Sequence, residues 1–200
     1  MQRCRWCNIK NKKYIDYHDK EWGITNMNDN YLFEMLLLES FQAGLSWECI
    51  LNKRENFRLA FDFFDVQKIA SYDEKKIQEL LKNQGIIRNK LKIRASINNA
   101  QIFLKIKEEY YTFANYLKQF TNGKITYEIN KTTNELSNAL SKDLIKRGMK
   151  FVGSTTIYSY LQAVRVIFSH EKDCFLYKDQ KWLFQQEWEQ IFQLFMQTGS

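Results

Sequence analysis

The sequence predicts an almost entirely helical domain, and three observations support this fold class. Apolar residues recur at helical spacing along most of the chain. Residues that cap helices, and glycines that end them, separate the apolar segments. Proline is absent, so caps and glycines are the available marks of helix ends. Residues 124–135 are polar and β-branched, and they form the one segment where we allow a strand.

The first predicted helix follows an irregular N-terminal segment, residues 1–28. Asn28 or Asp29 can cap this helix, and an apolar run at residues 32–38 fills it. The run ends in one carboxylate, Glu39. Because a buried charge is costly unless something pairs with it, Glu39 is a candidate functional group.

A glycine turn joins this helix to the next one. The turn lies at residues 43–44, and Ser46 caps a second helix that opens with Trp47 and runs to about residue 64. An indole close to a glycine turn and to the carboxylate of Glu39 predicts a pocket for a flat, polar or cationic ligand.

Three further helices are predicted in the middle of the chain. Ser71 and Glu74 form a capping-box pattern for a helix that stops at Gly85. A longer helix covers residues 86–111, and a short amphipathic one covers residues 112–120. The outer face of the longer helix is predicted to be basic, with Arg88, Lys90, Lys92 and Arg94.

Two helices joined by a glycine-bounded turn form the next predicted unit. The first covers residues 137–147, the turn covers residues 148–153, and the second begins at Ser154 or Thr155 and carries Phe168. Backbone N–H groups at such a helix start favour an anion such as a phosphate. A plain glycine stop followed by a capped helix gives the same pattern. Basic residues near the turn are Lys146, Arg147 and Lys150.

An aromatic, amphipathic stretch at residues 182–196 predicts a terminal helix. We therefore expect one domain at residues 1–177 and a tail helix at residues 178–200. The sequence has no apolar run of membrane-spanning length, and its N-terminus lacks an apolar signal core. We expect a cytoplasmic monomer with no membrane partner.

Positive charge is unevenly distributed along the chain. The formal net charge is +7, whereas residues 171–200 contain three Lys and five Asp or Glu residues. A basic body suggests a polyanionic partner such as nucleic acid. Ordinary lysine enrichment is the alternative explanation.

The two histidines of the chain each have a cysteine nearby in sequence. Cys4, His18, His170 and Cys174 could form a closed tetrahedral zinc site. Such a site would clip the N-terminal segment to the far end of the domain. Cys7 could replace Cys4, and surface histidines beside unrelated cysteines are a further alternative. Cys4 and Cys7 also form a CxxC pair, but without the strand–helix context of a redox motif.

Aromatic residues surround the candidate carboxylate in sequence. Tyr14, Tyr17 and Trp22 lie on the N-terminal segment, and Trp47 lies across the glycine turn from Glu39. Such rings can stack a base and bind its cationic form best, although any single aromatic is more often part of a core. Together with the basic body and the hairpin, they suit an enzyme that takes a base out of a duplex.

Many short stretches carry a resemblance to a known family. They are Arg3-Cys4, Tyr17-His18-Asp19, Glu21-Trp22-Gly23, Phe33-Glu34-Met35, Leu38-Glu39, Gln42-Ala43-Gly44-Leu45-Ser46-Trp47, Lys53-Arg54-Glu55-Asn56, Gly85-Ile86-Ile87-Arg88, Ala139-Leu140-Ser141-Lys142, Lys146-Arg147-Gly148, Lys150-Phe151-Val152-Gly153, His170 and Cys174. In these stretches the chain resembles the 3-methyladenine DNA glycosylase I family of bacterial repair enzymes.

The resemblance implies an all-α, helix-hairpin-helix DNA glycosylase fold with a zinc-stapled N-terminal segment. It implies a structural zinc ion on Cys4, His18, His170 and Cys174. It implies a catalytic role for Glu39, and base-binding roles for Tyr14, Tyr17, Trp22 and Trp47. The DNA contacts that it implies are Gly44 and Leu45, which would fill the gap in the duplex, and the hairpin residues Lys150, Phe151, Val152, Gly153 and Ser154.

The function that the resemblance implies is excision of 3-methyladenine from alkylated double-stranded DNA in base excision repair. We expect Glu39 to act as an anion, and we expect a monofunctional enzyme because no lysine is evidently placed as a Schiff-base nucleophile. A non-catalytic helix-hairpin-helix DNA-binding module is the alternative, and a zinc-stapled interaction domain is a third reading. Phe41 departs from the family pattern, and we expect it to alter a pocket wall or a DNA contact.

Overall fold

The structure is a computed structural model, and it describes residues 1–177. Helices form most of this part of the chain. They are α1 (Lys12–Lys20), α2 (Asp29–Gln42), α3 (Trp47–Ala60), α4 (Val66–Ala70), α5 (Glu74–Lys82), α6 (Lys90–Tyr110), α7 (Phe113–Thr121), α8 (Glu135–Lys146) and α9 (Ser154–Ala163). A 3₁₀ turn follows α3 at Asp62–Phe64, and short strands β1 (Thr126–Tyr127) and β2 (Ile167–Phe168) pair in parallel. The all-α prediction is confirmed.

Helix α2 lies at the centre of the fold. Asn28 caps it, because its side chain accepts hydrogen bonds from the N–H groups of Asn30 and Tyr31. Residues 32–41 are all buried, since α3, α6, α7 and α9 pack around the helix. A helix that is apolar on every side belongs in an interior. Glu39 therefore lies inside the domain, on the last turn of α2.

The N-terminal segment is more regular than predicted, because it contains α1. Asn11 caps this helix by accepting a hydrogen bond from the N–H of Lys13. Its buried residues are Tyr14, Tyr17 and His18, which share one face at the spacing i, i+3, i+4. One short helix thus presents two candidate base-binding residues and one candidate metal ligand to the interior.

Two predicted helix starts were wrong. Asp73, not Ser71, caps α5, because the Asp73 side chain accepts a hydrogen bond from the N–H of Lys76. Ser71 instead ends α4, a short helix that was not predicted. Helix α6 begins at Lys90 rather than at residue 86, because the Asn89 side chain caps it.

Two predicted helix ends were also wrong. Helix α3 stops at Ala60, because Asp62, Phe63 and Phe64 have φ values of 49°, 57° and 59°, outside the right-handed helical region. Helix α9 stops at Ala163, so Phe168 lies in β2.

Strand β1 lies within residues 124–135, where a strand was allowed. The predicted tail helix at residues 182–196 lies outside the described residues, so the division of the chain at residue 177 stays a prediction. Among the described residues, no helix has both the length and the apolar character needed to cross a membrane.

Candidate active site

Four buried side chains from the two ends of the described chain converge on one point. They are Cys4, His18, His170 and Cys174, and their ligand atoms lie within 4.8 Å of one another. Sγ of Cys4 is 3.5 Å from Nδ1 of His170, and Sγ of Cys174 is 3.6 Å from Nε2 of His18. Ligands bound at about 2.3 Å (sulfur) and about 2.0–2.1 Å (nitrogen) around a tetrahedral zinc ion would be separated by about 3.6 Å. The cluster therefore fits a closed tetrahedral metal site.

Neighbouring groups orient the imidazole of His18 and favour the neutral form of His170. Nδ1 of His18 is 2.8 Å from Oδ1 of Asp19, whose carboxylate also accepts hydrogen bonds from Arg3, so Nε2 of His18 faces the cluster. Burial and the nearby His18 lower the pKa of His170 to about 4, which favours the neutral ring that binds metals. Cys7 lies outside the cluster, and its thiol contacts the Tyr14 carbonyl at 3.7 Å.

All the predicted catalytic and base-binding side chains line one cavity of about 340 Å³. They are Tyr14, Tyr17, Trp22, Glu39 and Trp47. Other lining residues were not assigned to the cavity from the sequence, because they come from several separate segments of the chain. They include Trp6, Gln42, Asn130, Lys131, Gln162 and Glu171.

The aromatic walls of the cavity contact both one another and the metal-binding cluster. The ring centroids of Tyr17 and Trp47 are 5.2 Å apart. Trp22 packs against Trp6 at 4.7 Å and against His170 at 4.6 Å, edge to face in each case. The position of Trp22 therefore depends on the same histidine that belongs to the cluster.

Glu39 brings an uncompensated carboxyl group to this cavity. The residue is 4% exposed, and among the described residues its Oε2 has no hydrogen-bond partner. Burial raises the pKa of Glu39 to about 8, which favours the protonated carboxyl group over the anion. Nε1 of Trp47 is likewise buried without a partner in this part of the chain. Because unmade hydrogen bonds are costly, the two atoms indicate a ligand with polar groups.

The helical hairpin consists of α8, a tight turn and α9. Val152 is buried, and its carbonyl accepts a hydrogen bond from Ser141 Oγ at 2.7 Å. Lys150 and Gly153 are exposed, whereas Phe151 and Ser154 are half-buried. Gly153 precedes α9 as its N-cap, and no side chain of the described residues caps the helix, so its first N–H groups are open to an anion.

Arg147 does not serve this anion site, because it is committed to ion pairs. Its guanidinium lies 2.6 Å from Asp143 and 2.5 Å from Glu109. Lys146 and Lys150 remain exposed near the turn.

The glycine turn between α2 and α3 carries an exposed apolar side chain. Gly44 has φ of 80°, a conformation that favours glycine, and Leu45 is 41% exposed. The N–H of Leu45 donates to the carbonyl of Gln42 at 2.6 Å, and Ser46 caps α3. The turn therefore projects Leu45 outward from the inner end of α2.

A family model described as methyladenine glycosylase matches residues 6–194. The chain belongs to the methyladenine glycosylase family.

Individual members of this family are similar to the chain over nearly its whole length. It is 41% identical over 188 residues to DNA-3-methyladenine glycosylase 1 of Escherichia coli (strain K12), covering 90% of this chain and 100% of that protein. A crystal structure of a 3-methyladenine DNA glycosylase I matches with a TM-score of 0.83 and 42% identity, covering 87% of this chain and 98% of the other. A substituted 3-methyladenine DNA glycosylase I in complex with 3-methyladenine has a TM-score of 0.83 and 35% identity, covering 88% and 97%.

Three stretches with glycosylase resemblance meet in an ion-pair network that sequence reasoning missed. Arg54 donates to Glu34 at 2.7 Å and to Glu21 at 2.7 Å, and Arg58 donates to Glu34 at 3.0 Å. Glu21 precedes Trp22 in sequence, and Glu34 lies on α2 with Glu39. The network therefore ties the end of α1 and the helix α2 to α3.

The expectation that Lys92 lies on an outer face was wrong, whereas the effect of Phe41 stays a prediction. Phe41 is buried against Phe57 and Phe61, with ring centroids 4.8 and 5.9 Å away, and its side chain does not line the cavity. Lys92 is not on the outer face of α6 but is 7% exposed. Its Nζ donates to the carbonyl oxygens of Phe41 and Ala43, at 2.8 and 2.6 Å.

Proposed function

We propose that the chain is a monofunctional DNA glycosylase that extrudes 3-methyladenine from alkylated double-stranded DNA and excises it by hydrolysis, in base excision repair. The observation that carries the proposal is Glu39, a buried carboxyl group in an aromatic cavity whose Oε2 has no partner within residues 1–177. Such a group suits a flat cationic base that bears an amino group. Similarity to proteins named for 3-methyladenine supports the same substrate.

In this proposal, the cavity recognises the base by stacking and by charge. Tyr17 and Trp47 stack the ring, while Tyr14 and Trp22 close the walls. Glu39 accepts hydrogen bonds from the exocyclic amine and its neighbour, which selects adenine over guanine. A cationic base close to Glu39 lowers the pKa of the carboxyl group from about 8, so the group loses its proton as the base enters.

Alkylation at N3 already prepares the base to leave, because it places positive charge on the adenine ring. A water molecule attacks C1′ of the sugar and forms the new C–O bond. The bond from C1′ to the base breaks, its electron pair neutralises the base, and the water proton passes to solvent. Glu39, once ionised, stabilises the positive charge that develops on the sugar. No protein nucleophile takes part, so the product is an intact strand with an abasic site.

We assign DNA binding to two turns, each of which has exposed residues. Residues 150–154 hold a backbone phosphate at the start of α9, and Gly44 and Leu45 fill the gap that the extruded base leaves. We propose that the enzyme acts as a cytoplasmic monomer.

The metal-binding cluster would hold one zinc ion per chain through Cys4, His18, His170 and Cys174. Four protein ligands leave no open position, so the ion would supply structure and not catalysis. The ligands themselves connect the N-terminal segment to the residues after β2, next to Trp6 and Trp22.

A base-release assay on methylated duplex DNA tests the function. We expect release of free 3-methyladenine by the wild-type chain, and a loss of about 10²-fold or more in Glu39→Gln, because the substitution removes the proposed charge. Glu108→Gln is the matched control, because Glu108 is exposed on α6, and it should keep full activity. Tight binding to alkylated DNA without base release would favour the DNA-binding module instead. Strand cleavage without added base would contradict the monofunctional mechanism.

A further inference from the structure

Lys92 is a buried cation that has no carboxylate partner among the described residues. Its Nζ donates to the carbonyl oxygens of Phe41 and Ala43. These carbonyls lie at the C-terminal end of α2, where the helix dipole is negative, and α2 has no basic residue in its own last turn. Lys92 therefore serves as a remote C-terminal cap for α2, directly before the glycine turn.

Two other side chains of α6 hold the hairpin turn. The Asn99 side chain donates to the carbonyl of Lys150 at 2.8 Å and accepts from its N–H at 2.9 Å. Asn98 donates to the carbonyl of Gly148 at 2.9 Å. The Nζ of Lys92 lies 5.8 Å from the centre of the Phe151 ring. Helix α6 thus holds the turn after α2 with one side chain and the hairpin turn with two others.

We propose that Lys92 is a positioning residue that fixes the distance between the two DNA-contacting elements, the turn with Gly44 and Leu45 and the hairpin residues 150–154. The proposal rests on the proposed function, because that function assigns both elements to DNA. Extruding a base requires the gap to be filled while the backbone is held, so both elements must engage one duplex together. Lys92 is absent from the lining of the base cavity, so it acts on extrusion and leaves base recognition intact.

Lys92→Met tests this role, because methionine retains the apolar length of the side chain and removes its N–H donors. We expect the single-turnover rate of 3-methyladenine release from methylated duplex DNA to fall about 10- to 100-fold. Binding of free 3-methyladenine, followed by quenching of tryptophan fluorescence, should stay within about twofold of wild type because Trp22 and Trp47 are undisturbed. Lys92→Arg keeps charge and donors and should recover part of the rate. Lys105→Met removes an exposed charge from the same helix and should change neither quantity.

The salt dependence of duplex binding separates positioning from a direct phosphate contact. A lost phosphate contact reduces the slope of log K against log salt concentration by about one. Because Lys92 is buried, we expect Lys92→Met to leave this slope unchanged. A reduced slope, an unchanged release rate, or an equal loss of free-base binding would each overturn the proposal.

Asn99→Ala provides an independent test should Lys92→Met fail to fold. It loosens the hairpin turn from the same helix and should reproduce the pattern of slow release with intact free-base binding. A loss of both the release rate and free-base binding, or of neither, would count against a positioning role for α6. Failure of the proposed function is distinct, because the wild-type chain itself would then neither bind nor release 3-methyladenine.

Discussion

Replacing Glu39 by glutamine should stabilise the empty protein at neutral and alkaline pH, although it removes the proposed catalytic group. Glu39 is buried, and its Oε2 has no partner in the described part of the chain. Ionising this carboxyl group inside the domain costs free energy because the charge is removed from water. In the unfolded chain the group is exposed to water, so its ionisation does not have this cost. Glutamine has nearly the same shape and never ionises.

The size of the effect follows from the pKa of Glu39, which burial raises from 4.5 to about 8. The folded state therefore holds this proton more tightly than the unfolded state does. The stability that this proton provides is fully present below about pH 4.5 and is lost as the pH rises toward 8. Each pKa unit corresponds to about 1.4 kcal/mol, so the advantage of Glu39→Gln should grow by that amount per pH unit and level off near 5 kcal/mol, as an order of magnitude.

Urea unfolding of both proteins at pH 5, 6, 7, 8 and 9 measures this difference directly. The pH dependence of the difference isolates Glu39, because the other titrating groups are common to both proteins. Parallel stability curves across this range would refute the reasoning, since they would mean that Glu39 ionises as easily in the folded chain as in the unfolded one.

Glu34 provides the matched contrast on the same helix. It is 8% exposed, but its carboxylate accepts hydrogen bonds from Arg54 and Arg58. Glu34→Gln removes one of the two carboxylates that pair with the buried Arg54, the other being Glu21, and should destabilise the fold by about 1–3 kcal/mol. Glu39→Gln should raise the free energy of unfolding and Glu34→Gln should lower it. This difference in sign would separate a functional buried carboxylate from a structural one.

Two further predictions concern the metal and the pH profile. Elemental analysis should find about one zinc ion per chain, and removal of the ion by a chelator should lower both thermal stability and affinity for free 3-methyladenine, because Trp22 packs on His170. Folded, active protein that contains no metal would contradict this prediction. The kcat/KM for base release should rise about tenfold per pH unit and reach a plateau above about pH 8, because the free enzyme must lose the Glu39 proton to pair with the cationic base. A flat profile between pH 6 and 9 would show that no such deprotonation is needed.

The centre of the fold could be predicted because its signals are local. The apolar run of α2, the cap at Asn28 and the turn before Ser46 are contiguous in sequence, and the structure keeps each of them. Other boundaries depend on tertiary packing. The backbone at Asp62–Phe64 adopts positive φ values in spite of an apolar pattern that would continue α3.

Lys92 shows how a missed residue could have been found. Its charged neighbours suggested an exposed face of α6, but the structure buries Lys92, Ser96 and Asn99, at 7%, 4% and 5% exposure. Their spacing of i, i+4 and i+7 marks one stripe of a helix. A polar stripe within an otherwise apolar face indicates side chains that satisfy backbone groups. Lys92 and Asn99 do so in other segments, and Ser96 donates to the carbonyl of Lys92 in its own helix.

The polar part of the cavity lining offered no comparable signal. Asn130 and Lys131 come from the segment after β1, Gln162 comes from α9, and Glu171 follows His170. They belong to different elements and share no period. Tertiary structure alone brings them together.

Glu39 can remain uncompensated because the cations that pack near α2 have other partners. Arg54 is held by Glu34 and Glu21, and Arg58 by Glu34 and Glu55. Lys92 is held by carbonyl oxygens at the end of the helix. A cation without such partners could form a buried ion pair with Glu39. The carboxylate would then be occupied before any ligand bound. The buried networks around α2 therefore do more than stabilise the fold. They keep one interior carboxylate available for a cation that, in the proposed function, the alkylated base supplies.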